Sequence, residues 1–440
     1  MPKVSGWGRT IFSESRILHL PLSPNQDQGG NGRGAIPRGL GRSYGDSAQN
    51  SGGIVIDCRD LKKLSIDPST GIASVGSGVT IAELELESLR FGYFPFVVPG
   101  TGQITIGGAI ASDIHGKSHH RIGSFCDHVL ELTMILANGD RRTTGPKDKK
   151  DSLFEATVGG LGLTGMVIEA KIQLMEVKSS LLNVNEVRVH NIEEMFKVLS
   201  EFDLQFHYTV AWLDLSSDCK GRGIVSGANF AEAAYSSISG RKTRFRTRKS
   251  RRFSFHFISK LGLINPLTVR LFNIFWFRKP LGKKEQYIQD YLHPLDRISN
   301  WNELFGKYGI VQYQFVIPYC NQHLIQTIIQ VFATNHLSSP LSVLKSLGSQ
   351  SQGLLGFPIQ GWTLAIDFPA NAKGLEKVLN EVDEMVCLAG GRVYLTKDSR
   401  ISTDMVEKMY PNLDRWREAK RNFDPENYWK SDQSRRLNLC

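Results

Sequence analysis

Three stretches in the first 170 residues put glycine where a backbone must turn tightly or approach something closely: "PRGLGRSYGDSA" (37–48), "PGTGQITIGGAIASDIHG" (99–116) and "TVGGLGLTGMV" (157–167). Without a Cβ, closely spaced glycines let successive backbone N–H groups turn inward and ring a diphosphate. In the first stretch Gly39, Gly41 and Gly45 alternate with Arg38, Leu40, Arg42, Ser43 and Tyr44. The spacing is neither GxGxxG after a strand nor GxxxxGKS, which excludes a Rossmann dinucleotide loop and an ATP P-loop. One such turn reads equally well as a surface loop. Three of them, each beside an apolar strand, read as the walls of one site for a long, flat, phosphate-bearing ligand.

The intervening pattern is mixed. "GGIVIDC" reads as a buried strand, and "IAELELESLRFG" as a helix stopped at Gly92. Asn138-Gly139 in "HVLELTMILANGDRRTT" is the strongest hairpin signal in the chain. "SLFEATVGGLGLTGMVIEAKIQLMEV" combines a short helix, a glycine-dense turn and a long alternating strand. After about residue 180 glycine thins, and segments such as "HYTVAWLDL" and "GIVQYQFVIP" suggest antiparallel strands with one covered face. "NIEEMFKVLSEF", "CNQHLIQTIIQVFATN" and "KGLEKVLNEVDEMVCLAG" are amphipathic helices between them, and the tail reads as helical at first and then extended. At 440 residues the chain exceeds what one core serves. The expected fold class is α+β.

The six cysteines, Cys58, Cys126, Cys219, Cys320, Cys387 and Cys440, form no CxxC pair, which argues against zinc sites and disulfide stapling and for a reducing compartment. "MPKVSGWGRT" lacks a signal-peptide pattern, and no 18 apolar residues follow one another. The net charge of +10 is uneven, because "RKTRFRTRKSRR" (241–252) contains eight basic residues and no acid. It reads as a solvated loop, as a contact for an anionic membrane face, or as a nucleic-acid contact. The apolar "FSFHFISKLGL" and "VRLFNIFWF" that follow suit a membrane surface better, and no nucleic-acid motif is present. His115 and His119 have the i,i+4 spacing of zinc helices, but Gly116 lies between them and no third ligand is evident. No metal is expected, and His119 and His120 are read as structural.

The series "RGLGRSYGD", "PGTGQITIGGAIASDIHGKSHH" and "ATVGGLGLTGMV" resembles the flavin domain of the vanillyl-alcohol-oxidase-type (PCMH-type) FAD-linked oxidoreductases, and within them the decaprenylphosphoryl-ribose 2'-oxidase branch. The likeness continues in order through "AWLD", "WFRK", "HPLD", "WNELFG", "QYQFVIP", "GWTLAIDFP", "VYLTKDSR" and "SDQSRRL". It implies a two-lobed PCMH-type FAD-binding domain at 1–179. A substrate domain on an antiparallel sheet with flanking helices would follow at 180–391, and 392–440 would return to the FAD domain.

By that resemblance Pro37, Arg38, Gly39, Leu40, Gly41, Arg42, Ser43, Tyr44, Gly45, Asp46 and Ser47 wrap the FAD diphosphate. Gly100, Thr105, Ile106, Gly107, Gly108, Ser112, Asp113, Ile114 and His115 line the ring system and ribityl chain, with Val167 and Tyr394 closing the site. Many relatives link the flavin to a histidine in a GxGHS turn. Here that place holds Arg42, so the resemblance implies non-covalent FAD. His115 and Lys397 are implied as catalytic, and Lys117, Trp212, Gln312, Gln314 and Lys345 as substrate contacts. Three departures touch the pocket wall: Ala365 where mycobacterial-type members place a cysteine, Thr363 in place of an asparagine, and Leu292 in place of an aromatic.

The implied reaction is oxidation of a polyprenylphosphoryl-ribose at C2 to the keto sugar, as the first half of an epimerisation, with a sugar-1,4-lactone oxidase as the alternative. This chain has no second, nicotinamide-binding fingerprint, so a separate NAD(P)H-dependent keto-reductase would complete inversion. A quinone or oxygen would accept the electrons, and the expected location is peripheral on the cytoplasmic membrane.

Overall fold

The computed structural model describes residues 1–20, 32–148, 152–216, 221–232, 253–254 and 264–440. The basic run 241–252 and most of "FSFHFISKLGL" lie outside the described residues.

The continuous apolar run "IVID" forms the central strand Ile54–Asp57 of a three-stranded parallel sheet, between Arg16–His19 and Ala35–Arg38. Burial on both faces is why it shows no alternation. A six-stranded antiparallel sheet follows. Its order is Arg141–Thr144, Val129–Ile135, Met166–Glu176, Ile72–Gly76 and Leu64–Ile66, and Tyr93–Pro95 pairs with the end of Met166–Glu176. The hairpin at Asn138-Gly139 forms with Gly139 at φ 87°, and the Asn138 side chain accepts the backbone N–H of Asp140 at 3.0 Å. Helix Ile81–Arg90 begins at a Thr80–Glu83 capping box and ends before Gly92, which takes φ 82°.

The chain leaves this sheet after Glu176 and enters an eight-stranded antiparallel one at Leu181. Strand order there is Lys284–Tyr287, Leu181–Val189, Gly223–Phe230, Tyr208–Leu213, Ser342–Leu347, Gly361–Pro369, Ile310–Pro318 and Arg392–Val393. Period-two alternation decides its faces. Tyr313, Phe315, Ile317, Leu344, Leu364 and Ile366 join the core cluster shared with helices Ile192–Gln205, His323–Thr334 and Leu375–Leu388. Gln312, Gln314, Val343, Lys345 and Ala365 point the other way, to a cavity. The covered face holds the core and the opposite face carries polar chemistry.

The tail departs from the expected helix followed by extended chain, because it ends in a second helix, Asp432–Arg436, capped by Ser431. Helix Leu413–Phe423 buries Trp416, whose indole N–H donates to the Ala156 carbonyl at 2.9 Å. Trp429 packs with Ile54 and Ile56 of the parallel sheet. No helix among the described residues is long and apolar enough to cross a membrane.

Candidate active site

A cavity of about 1050 Å³ lies between the glycine turns and the polar face of the eight-stranded sheet. That is at the upper end for small-molecule sites, and it suits a ligand longer than one sugar. Pro37, Arg38, Gly39, Leu40, Gly41, Arg42, Ser43, Tyr44 and Ser47 line one end. Gly100, Thr105, Gly107, Gly108, Ser112, Ile114, His115, Val167 and Tyr394 also line it, with Trp212, Gln312, Gln314 and Lys345 from strands of the eight-stranded sheet and Lys117 and Lys397 from turns. Four implied residues stand behind the wall. Asp46 is buried against Arg436 at 2.9 Å, and a Cβ on Gly45 would lie 1.9 Å from the Asp398 carbonyl oxygen. Ile106 is fully buried in the core, and Asp113 accepts from Ser351 Oγ and from the Cys126 backbone N–H. Asp46 and Asp113 thus bind neighbouring segments of the protein and hold the loops in shape.

The wall fits a flavin dinucleotide on the chain's own geometry. A Cβ added to Gly100 would meet nothing within 4 Å, so a side chain there would stand in the cavity. Gly41 holds φ 62°, a conformation that costs other residues, and a Cβ there would meet the Arg38 guanidinium at 2.1 Å. The buried Ser77 hydroxyl, also on this wall, has no partner among the described residues. Arg42, in the place of the flavin-linking histidine, lies with its guanidinium 3.9 Å from the centre of the Trp7 ring.

His115 is the hub of the polar wall. Its Nε2 lies 2.9 Å from Gln314 Nε2 and its Nδ1 lies 3.2 Å from Lys345 Nζ. The Gln314 amide also donates to Thr363 Oγ1 at 3.1 Å, and Thr363 in turn donates to the Phe315 carbonyl at 2.8 Å. With the amide fixed that way, Nε2 is the imidazole's acceptor and Nδ1 carries its proton toward Lys345. Burial and the charges of Lys345, His119 and Lys397 hold His115 well below the usual histidine range, so it is neutral. Tyr394 and Phe357 flank the ring, each with its centre 5.6 Å away.

Three half-buried lysines surround this hub. Burial and the mutual repulsion of the set push Lys117 and Lys345 down to about 7. Burial lowers Lys397 to about 8, with Asp367 opposing the shift. Lys397 Nζ lies 4.2 Å over the Tyr44 ring, and Lys117 Nζ the same distance over Tyr291 while donating to the Tyr291 carbonyl. Asp367, fully buried and pushed up to about 7 by burial, accepts from Gln312 Nε2 at 2.5 Å.

The neighbouring histidines hold the loop. His119 is buried between Ser124 Oγ at 3.1 Å and the Gly348 backbone N–H at 3.0 Å, and His120 Nε2 meets the Phe206 carbonyl at 3.3 Å. Several wall residues were not foreseen: Trp7, Phe272, Trp276, Tyr291 and Asp296. Asp296 accepts Thr101 Oγ1 at 2.5 Å and the Gly102 N–H at 2.9 Å, across 195 residues of chain. Local pattern does not register a pairing at that separation. The available signal was the acid in "HPLD", a block noted only for its order.

The family model described as FAD binding domain matches residues 30–145. Decaprenylphosphoryl-β-D-ribose oxidase of Mycolicibacterium smegmatis is 36% identical, over 99% of this chain and 97% of its own. An uncharacterized protein from the mprA 5' region of Streptomyces coelicolor is 32% identical, over 82% of this chain and all of its own. Cytokinin dehydrogenase 7 of Oryza sativa is 33% identical over 32% of this chain, so that likeness covers only part of the molecule. Full-length similarity of that order, joined to the cavity geometry, makes the chain a member of the VAO/PCMH-type FAD-linked oxidoreductases, an FAD-dependent oxidoreductase of the decaprenylphosphoryl-β-D-ribose oxidase branch.

Proposed function

We propose that this enzyme oxidises the C2 hydroxyl of a polyprenylphosphoryl-ribose to the 2-keto sugar, with a separate NAD(P)H-dependent keto-reductase completing inversion. The observation that carries this reading is the convergence of Lys117, Lys345 and Lys397 on one cavity around His115. Three adjacent cationic groups whose charge is suppressed by burial suit an anionic ligand, because a phosphate restores the protons they would otherwise lose. A neutral lactone offers them nothing. The mycobacterial relative's name specifies such a lipid-linked ribose.

FAD, when bound, supplies acceptance of the hydride and its onward passage as an electron pair to a quinone or oxygen. It is held without a covalent bond along Pro37–Ser47, with Gly100 leaving room for it. On this reading Gln312 and Gln314 orient the sugar hydroxyls and Lys397 receives the proton of the oxidised hydroxyl. His115, neutral and held between Gln314 and Lys345, orients those two side chains toward the sugar. The enzyme acts at the cytoplasmic face of the membrane, where its lipid substrate resides.

The decisive experiment mixes purified protein anaerobically with polyprenylphosphoryl pentoses and follows loss of flavin absorbance. Bleaching by the ribose form supports the proposal. Bleaching by an aldonolactone alone would replace it with the lactone-oxidase reading. Acid precipitation should release the flavin into the supernatant, and a yellow pellet would show a covalent link.

A further inference from the structure

Helix Pro266–Arg278 places Leu267, Leu271 and Phe275 four residues apart on one stripe, 67%, 60% and 73% exposed. Phe272 beside them is 41% exposed, and lone apolar residues on a surface are ordinary whereas four on a single helix face are not. The stripe is fixed rather than loose. Asn265 and Thr268 form a capping box at the start of the helix. Its inner face buries Val269, Asn273 and Phe277, and Asn273 Nδ2 donates to Asp214 at 2.8 Å and to the Ser339 carbonyl at 3.2 Å.

Two features specify what covers the stripe. Exposed Arg270 and Arg278 lie on the same helix, and the chain carries +10 overall, so the cover is anionic at its rim. Phe272 and Trp276, whose rings stack at 5.8 Å, both line the active-site cavity, so the stripe is continuous with the cavity mouth. An apolar face with a basic rim, opening on a substrate channel, is what an interfacial helix needs.

We propose that Leu267, Leu271 and Phe275 dock on an anionic lipid bilayer, and that Phe272 and Trp276 form the gateway by which a lipid-linked ligand enters from it. The direction of entry rests on the lipid-linked substrate proposed above, while the docking can be measured without any substrate.

Full-length, FAD-loaded protein is spun with phosphatidylcholine vesicles prepared with and without phosphatidylglycerol. It pellets with the anionic vesicles and less so as salt rises. Leu271→Gln combined with Phe275→Gln lowers the bound fraction about tenfold or more, because two large apolar groups no longer leave water. Phe275→Leu keeps binding. The double variant retains its flavin and its turnover of a short-chain, water-soluble phosphoryl sugar. The proposal falls if the double variant pellets like the parent, or if the parent ignores every vesicle. It also falls if the stripe instead joins two copies, seen as a dimer that the double substitution splits. Vesicle binding without any turnover of a phosphoryl ribose supports docking and removes the substrate reading alone.

Discussion

Nδ1 of His115 lies 3.2 Å from Nζ of Lys345, and burial together with the charge of that lysine holds the imidazole neutral. The pair sets the pH response. Lys117 and Lys345, at about 7, lose protons as pH rises, and attraction for a phosphate falls with them, while Lys397, at about 8, becomes able to accept a proton. We expect the ratio of kcat/KM for a phosphoryl sugar to that for a neutral aldonolactone to decline across pH 7 to 8, since kcat/KM reports the free enzyme and the ratio cancels the proton acceptor common to both substrates. Lys345→Arg, charged throughout, should shallow the decline. A ratio independent of pH would remove the lysines from phosphate recognition.

Lys397 offers a sharper test. Lys397→Ala should slow anaerobic flavin bleaching about 100-fold or more, the scale of a lost proton acceptor, with the bound FAD spectrum intact. Asp367 raises the Lys397 pKa, so Asp367→Asn should move the ascending limb of the pH profile to lower pH without removing activity. Full bleaching by the alanine variant would exclude Lys397 from the proton transfer.

The glycine turns were legible because the need they meet is local: backbone must approach a ligand where a Cβ would intrude. The faces of "VQYQFVIP" were legible for a similar reason, since two-residue alternation separates Gln312 and Gln314 from Tyr313 and Phe315. Which members of a turn face inward was not. Asp46 and Asp113 sit in the motif yet serve Arg436 and Ser351, partners 390 and 238 residues away. Asp296 and Trp7 reach the wall only because distant segments close over it, and that depends on the assembled sheets. The final helix Asp432–Arg436 was missed because five polar residues show no periodicity. It forms through its Ser431 cap and the burial of Gln433 and Ser434.

Gly100 and Gly45 should respond in opposite ways to enlargement. A Cβ on Gly100 meets nothing within 4 Å, so Gly100→Val should fold with the melting temperature of the flavin-free parent but lose bound flavin, read as the ratio of visible to ultraviolet absorbance. A Cβ on Gly45 would sit 1.9 Å from the Asp398 carbonyl oxygen. Gly45→Ala should therefore destabilise the fold by about 1–3 kcal/mol, as overpacking does, whatever its flavin content. Equal flavin content in Gly100→Val and the parent would show that this wall does not face the cofactor.

Glu85 and His293 form a buried pair at 2.6 Å, joining helix Ile81–Arg90 to the segment that carries Asp296. Burial alone would lower the His293 pKa, but the charge and hydrogen bond of Glu85 more than offset it, and the net shift is upward. A group raised in the folded state stabilises fully below its unfolded value of about 6.5 and loses that contribution as pH climbs through the folded value. The difference in unfolding free energy between the parent and Glu85→Gln should therefore be largest below pH ~6.5, about 3–5 kcal/mol for a buried charge left alone, and should shrink toward alkaline pH. Denaturant melts of both proteins across that range measure it. A difference independent of pH would mean the pair is held by packing and a neutral hydrogen bond, with no ionic contribution.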